Sequence, residues 1–180
     1  MMSKPQSDIL YIWKNFRQTN FSGKIVLVLS TWFGTGLLPI APGTFGTLAT
    51  VPLILVLDNL GTIYKALSLM IAIVVAIWAS GRHQKLLRQS DPREIVIDEV
   101  AGFLLTMLFL PRSWLAIGLG FIFFRLFDIL KPYPIRQTER IKGGLGVVID
   151  DLIAGLYAYA VVRIILLIPG LSDSTFTVPG

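Results

Sequence analysis

At 180 residues, with 54% of them hydrophobic, only 15% charged and a mean hydropathy of +0.71, the chain is too apolar for an ordinary soluble domain and long enough for one compact membrane bundle. Its net charge of +5 does not point to nucleic acid, because membrane proteins collect Lys and Arg in cytoplasmic loops and near anionic lipid. The absence of cysteine excludes disulfide frameworks, thiolate metal sites and a cysteine nucleophile.

Met1 to Lys24 is mixed polar and aromatic, carries Lys4, Lys14, Arg17 and Lys24, and has no apolar stretch followed by a small-residue cleavage site, so no removable signal is read there. The expected organisation is a basic cytoplasmic segment, residues 1–24, a membrane catalytic domain, residues 25–168, and a tail, residues 169–180. Apolar runs follow at Ile25 to Ile40, Gly46 to Leu57, Ile63 to Ser80, Ile95 to Leu110, Ser113 to Leu130 and Leu145 to Ile168. Several fall short of the roughly 20 residues of a free-standing span. Gly34, Gly36, Pro39 and Pro42 break the first into a re-entrant or interfacial segment, which leaves five crossings. The fold class expected is all-α, a polytopic helical bundle with short spans and a Gly/Pro-broken first segment.

Basic residues orient this scheme, since cytoplasmic loops carry the excess of Lys and Arg. Besides the N-terminal group there are Arg82, Lys85, Arg88 and Arg93 between the third and fourth runs, and Lys131, Arg136, Arg140 and Lys142 between the last two, whereas the intervening turns hold only Lys65 and Arg112. All three basic segments are therefore expected on the cytoplasmic side. The single histidine, His83, falls in one of these basic loops and is expected to be solvated. Its solitude excludes the two-histidine lipid phosphatases.

In that orientation Asp98 and Glu99 stand just inside one span, Asp128 near the end of another, and Asp150 and Asp151 at the start of the last, all at one depth. Ionisable groups within spans cost about 2.5–3.5 kcal/mol each at a helix centre and less near the interface, so their clustering suggests a function or a bound partner. The plain alternative is helix capping. It suits Asp98 and Asp150 but not Asp128, which sits in a last turn where the dipole disfavours negative charge and where Arg125 is placed to pair with it. Gly102 follows Asp98 by four residues and Gly155 follows Asp151 by four, leaving space on the same helix face for a packed neighbouring helix or for a ligand.

Converging carboxylates call for neutralisation, and the economical neutraliser of an all-oxygen site is Mg²⁺, Mn²⁺ or Ca²⁺. Beside Lys131 and Arg136 at headgroup depth, such a site would take an amphipathic phosphate. The glycine-rich run Gly34 to Thr47 suits either anion-binding backbone at a helix start or a breaker between membrane segments, and it lacks the Gly-Lys-Ser/Thr ending of a P-loop. The run Lys142 to Asp151 likewise places glycines just before a carboxylate pair, or serves as a flexible linker.

The segments LLPIAPGTFGT (Leu37 to Thr47), IDEVAG (Ile97 to Gly102), FRLFDILKPYPIR (Phe124 to Arg136) and GGLGVVIDDLIAGLYA (Gly143 to Ala158), in this order and with this hydropathy, resemble the phosphatidylglycerophosphatase A family. The resemblance implies a Mg²⁺-dependent, multi-pass enzyme of the bacterial inner membrane that removes the terminal phosphate of phosphatidylglycerophosphate, with its active site facing the cytoplasm and membrane lipid as its surroundings. By motif match the acidic positions are Asp98, Glu99, Asp128, Asp150 and Asp151, with Lys131 completing the catalytic set. Asp98, Glu99, Asp128 and Asp151 are the expected metal ligands, and Gly43, Thr44, Lys131 and Arg136 the expected substrate contacts. Water or an aspartate is the nucleophile. The competing readings are a CDP-alcohol phosphatidyltransferase, whose long aspartate signature is absent, and a non-enzymatic carrier or structural membrane protein.

Overall fold

The computed structural model describes residues 5–89, 92–138 and 140–168; the expected tail, residues 169–180, lies outside them. Among the described residues the chain is helical without strands: α1 (Pro5–Gln18), α2 (Phe21–Ser30), a 3-10 turn (Thr35–Leu37), α3 (Pro42–Leu60), α4 (Thr62–Leu87), α5 (Ile97–Met107), α6 (Trp114–Leu130), the short α7 (Ile135–Thr138) and α8 (Gly144–Ile165). Local chemistry sets the boundaries. Asn20 caps α2 by accepting from the Gly23 N–H at 3.0 Å, and Ser113 caps α6 by accepting from the Ala116 N–H at 3.1 Å. Pro42 opens α3 at a position where no N–H is needed. The first apolar run is broken as expected, ending α2 at Ser30 and passing through Gly34 at φ +91° before the 3-10 turn.

Three of the described helices, α3, α4 and α8, are long and apolar enough to cross a membrane. At 1.5 Å per residue they measure about 28, 39 and 33 Å, against a hydrocarbon core of about 30 Å. The five expected crossings are thus unequal, because α6 reaches about 25 Å and α5 only about 16 Å. The length of α5 follows from its place: Ile97, Val100, Ala101, Phe103 and Met107 are all buried, so it is a core helix ringed by α3, α4, α6 and α8. By contrast α4 turns Ile63, Leu67, Met70, Ile71, Val74 and Trp78 outward, an exposed apolar row suited to a lipid surface.

The tightest crossing joins α5 to α8. A methyl on Gly155 would lie 2.3 Å from the Gly102 carbonyl oxygen, and one on Gly102 would lie 2.6 Å from that of Asp151. Thr106 Oγ1 seals the contact by donating to the carbonyls of Gly102 at 3.0 Å and Gly155 at 3.2 Å. Of the two uses open to these glycines, close helix packing is the one found.

His83 departs from expectation. Its basic surroundings predict a solvated loop, but α4 continues to Leu87 and carries His83 fully buried, with Nδ1 2.6 Å from Ser30 Oγ. The ring ties α2 to α4. At the opposite end of the bundle Lys65 pairs with Asp58 at 2.7 Å, and Arg112 hydrogen-bonds Asn59, so polar groups mark both ends of the long helices.

Candidate active site

The starts of α3, α5 and α8 and the ends of α4 and α6 meet at one end of the bundle, around an open cavity of about 860 Å³. Its walls carry Gly43, Asp98, Glu99, Asp128, Lys131, Asp150 and Asp151, so seven of the sequence-expected site residues come together. Thr44 is half-buried in the first turn of α3 and does not line the cavity, and Arg136 lines a neighbouring recess instead.

Asp98 and Glu99 occupy the first turn of α5, where free N–H groups favour negative charge. The capping reading fails for Asp150 and Asp151. Because α8 begins at Gly144, they lie in its second turn, whose N–H groups are already bonded within the helix. Asp98 and Asp151 are each under a tenth exposed.

Two charge pairs divide the acidic groups. Arg125 Nη1 meets Asp128 Oδ2 at 2.7 Å, one turn apart on α6, and lies 3.6 Å from Glu99 Oε1. Lys131 Nζ donates to Asp150 Oδ2 at 2.8 Å across from α6 to α8. Asp98, Glu99 and Asp151 form a separate group whose carboxylate oxygens lie within 4.8 Å of one another. Asp98 Oδ1, Glu99 Oε2 and Asp151 Oδ2 are buried and accept no hydrogen bond among the described residues. Buried anions in such a state are costly unless a cation joins them. Oxygens bound at 2.0–2.6 Å to a hard cation stand up to about 5 Å apart across it. The donor set therefore spans a large divalent ion as it stands and closes on Mg²⁺, whose opposite oxygens stand about 4 Å apart, by side-chain movement.

Gly43 completes the frame. A methyl there would stand 2.0 Å from Glu99 Oε1 and 3.1 Å from Arg125 Nη1, so α3 presses its first turn directly against the acidic group. Sequence reasoning assigned no site role to Arg125, Gln84, Arg93 or Lys142, all of which line the cavity. Arg125 was legible only as the partner of Asp128, and its second neighbour, Glu99, belongs to another helix and leaves no trace in local spacing.

With this geometry in view, the chain matches the family profile of phosphatidylglycerophosphatase A over residues 28–166. It is 35% identical over 140 residues to phosphatidylglycerophosphatase A of Escherichia coli strain K12, covering 77% of this chain and 81% of that protein. It is 36% identical over 138 residues to phosphatidylglycerophosphatase A of Haemophilus influenzae, covering 75% of this chain and 85% of the relative. A protein of Bacteroides thetaiotaomicron, named provisionally as a phosphatidylinositol-3-phosphatase, is 33% identical over 147 residues, covering 77% of this chain and 91% of its own. No solved structure matches the chain at a significant level.

Proposed function

The chain belongs to the phosphatidylglycerophosphatase A family and hydrolyses phosphatidylglycerophosphate in phospholipid synthesis, and from that premise we propose that Asp98, Glu99 and Asp151 hold Mg²⁺ where the terminal phosphate is cleaved. The observation that carries this is the trio of buried carboxylates within 4.8 Å of one another at the wall of a cavity shared with Lys131. All-oxygen donors of this kind suit Mg²⁺, which keeps open positions for water and phosphate. The chemistry supplied by the bound ion is Lewis-acid polarisation of the phosphoryl oxygens.

The chain's own residues do the rest. Lys131, steadied by Asp150 at 2.8 Å, brings its positive charge to the phosphoryl oxygens and offsets the charge that builds on them. Arg125, fixed by Asp128 at 2.7 Å, holds Glu99 in position. Gly43, with Thr44 behind it, brings the start of α3 and its first-turn N–H groups to the cavity, where they favour an anion. In the overall reaction the bond from phosphorus to the terminal glycerol oxygen breaks, that oxygen takes a proton, and phosphate leaves carrying an oxygen derived from water.

The site faces the cytoplasm of the bacterial inner membrane in this reading, because Lys85, Arg88, Arg93, Arg140 and Lys142 gather at its end of the bundle and Lys65 and Arg112 at the other. The domain scheme follows, with residues 25–168 as the catalytic unit. The name of the Bacteroides relative supplies one alternative substrate, phosphatidylinositol 3-phosphate. The test is phosphate release by purified protein in detergent, with Mg²⁺ or chelator, from phosphatidylglycerophosphate, phosphatidylinositol 3-phosphate and phosphatidic acid in parallel. Mg²⁺-dependent release with preference for phosphatidylglycerophosphate is expected. Preference for the inositol lipid, or release unaffected by chelation, would overturn the assignment.

A further inference from the structure

Beside the carboxylate cavity opens a second recess of about 680 Å³, lined by Lys131, Tyr133, Arg136, Gln137 and Arg140. Lys131 lines both. The two differ in charge: the first is walled by five carboxylates, whereas no carboxylate among the described residues lines the second.

The recess rests on a held frame. Ile135 of α7 is fully buried and pins the turn to the bundle, while Tyr157 of α8 donates its hydroxyl to the Tyr133 carbonyl at 3.0 Å. Arg136 follows Ile135 directly and is exposed. The recess also continues a lipid-facing surface, because α6 turns Ile122, Leu126, Ile129 and Leu130 outward before it ends at Lys131.

Phosphatidylglycerophosphate carries two phosphates of different kinds. The terminal one is a monoester, and the inner one is a diester that joins the glycerol to the acylated backbone. We propose that the recess is a second phosphate subsite, in which Arg136 and Arg140 hold the inner phosphodiester while the monoester reaches across Lys131 into the carboxylate cavity. This rests on the phosphatase reading above and adds the basis of substrate choice. Arg suits a diester, whose two free oxygens match the planar guanidinium fork. A lipid with a single phosphate, such as phosphatidic acid, cannot fill both subsites.

The test compares wild type with Arg136→Gln, Arg140→Gln and the double variant, using phosphatidylglycerophosphate as substrate and two soluble inhibitors: inorganic phosphate for the monoester site and glycerophosphoglycerol for the diester site. Each single variant is expected to lose roughly tenfold in kcat/KM, mostly through a higher KM, as for one charge-assisted contact. Inhibition by glycerophosphoglycerol should weaken in parallel, and inhibition by phosphate should hold. An unchanged KM in the double variant would overturn the subsite, as would equal weakening of both inhibitors, which would mark these arginines as general supports of the fold or of the monoester. Failure of the wild type to release phosphate from this lipid would instead overturn the underlying phosphatase reading.

Discussion

Replacing Gly43 by alanine adds one methyl group at the point where α3 meets the acidic group. That methyl would lie 2.0 Å from Glu99 Oε1 and 3.0 Å from its Cδ, where ordinary contact begins at 3.4 Å. The oxygen must therefore retreat by about 1.4 Å, since the repulsive wall leaves no room for compromise. Glu99 ends a flexible side chain and can move, so the fold should survive. A displacement of that size is, however, most of a bond to Mg²⁺, which tolerates little departure from about 2.1 Å. Gly43→Ala is expected to raise the Mg²⁺ concentration for half-maximal phosphate release by roughly 10–100-fold, with thermal unfolding in detergent little changed. The assay is a Mg²⁺ titration of phosphate release together with a melting curve. A variant with the wild-type Mg²⁺ midpoint and rate would refute the argument that α3 positions Glu99 for the ion.

His83→Ala removes the buried bond to Ser30 Oγ and leaves a cavity, so a loss of about 2 kcal/mol is expected, seen as a melting temperature lower by roughly 4–8 °C. Its Mg²⁺ midpoint should match the wild type, and an unchanged melting temperature would show that the ring does not tie α2 to α4. The chain has no cysteine, so single cysteines report sidedness cleanly: Lys85→Cys should be labelled only from the cytoplasm and Thr62→Cys, at the other end of the same helix, only from outside. Labelling of Lys85→Cys from outside would invert the orientation.

The gathering of the carboxylates at one end of the bundle was legible in the sequence because Asp98, Asp128 and Asp150 each stand at an end of an apolar run, and the ends of such runs share a level. The close approach at Gly102 and Gly155 was legible as one of two alternatives, since four-residue spacing sets a shared face but not its occupant. The burial of His83 was missed for a definite reason. The stretch GRHQKLL reads as a basic loop by composition, yet Ala79, His83 and Leu87 form a buried row at spacing four while Arg82 and Lys85 point outward, so the helical period continued through the polar residues. The run around α5 read as a span because burial inside protein and burial in lipid select the same side chains. The division of the carboxylates was the least legible part. The one-turn spacing of Arg125 and Asp128 gives that pair, but nothing in local spacing says that Asp150 is taken up by Lys131 or that Glu99 lies beside Arg125, since those pairs depend on how α5, α6 and α8 are packed.

The central claim is that Asp98, Glu99 and Asp151 hold the divalent ion at which phosphate is released. The most direct test measures, on the same chelator-stripped preparations, Mn²⁺ binding by electron paramagnetic resonance and phosphate release from phosphatidylglycerophosphate after Mg²⁺ is restored, for the wild type and Asp151→Asn. The wild type should bind Mn²⁺ and recover activity, while Asp151→Asn, still inserted and folded, should bind roughly tenfold or more weakly and release phosphate about 100-fold or more slowly, as expected for a lost ligand. An Asp151→Asn protein that binds Mn²⁺ and turns over like the wild type would contradict the account.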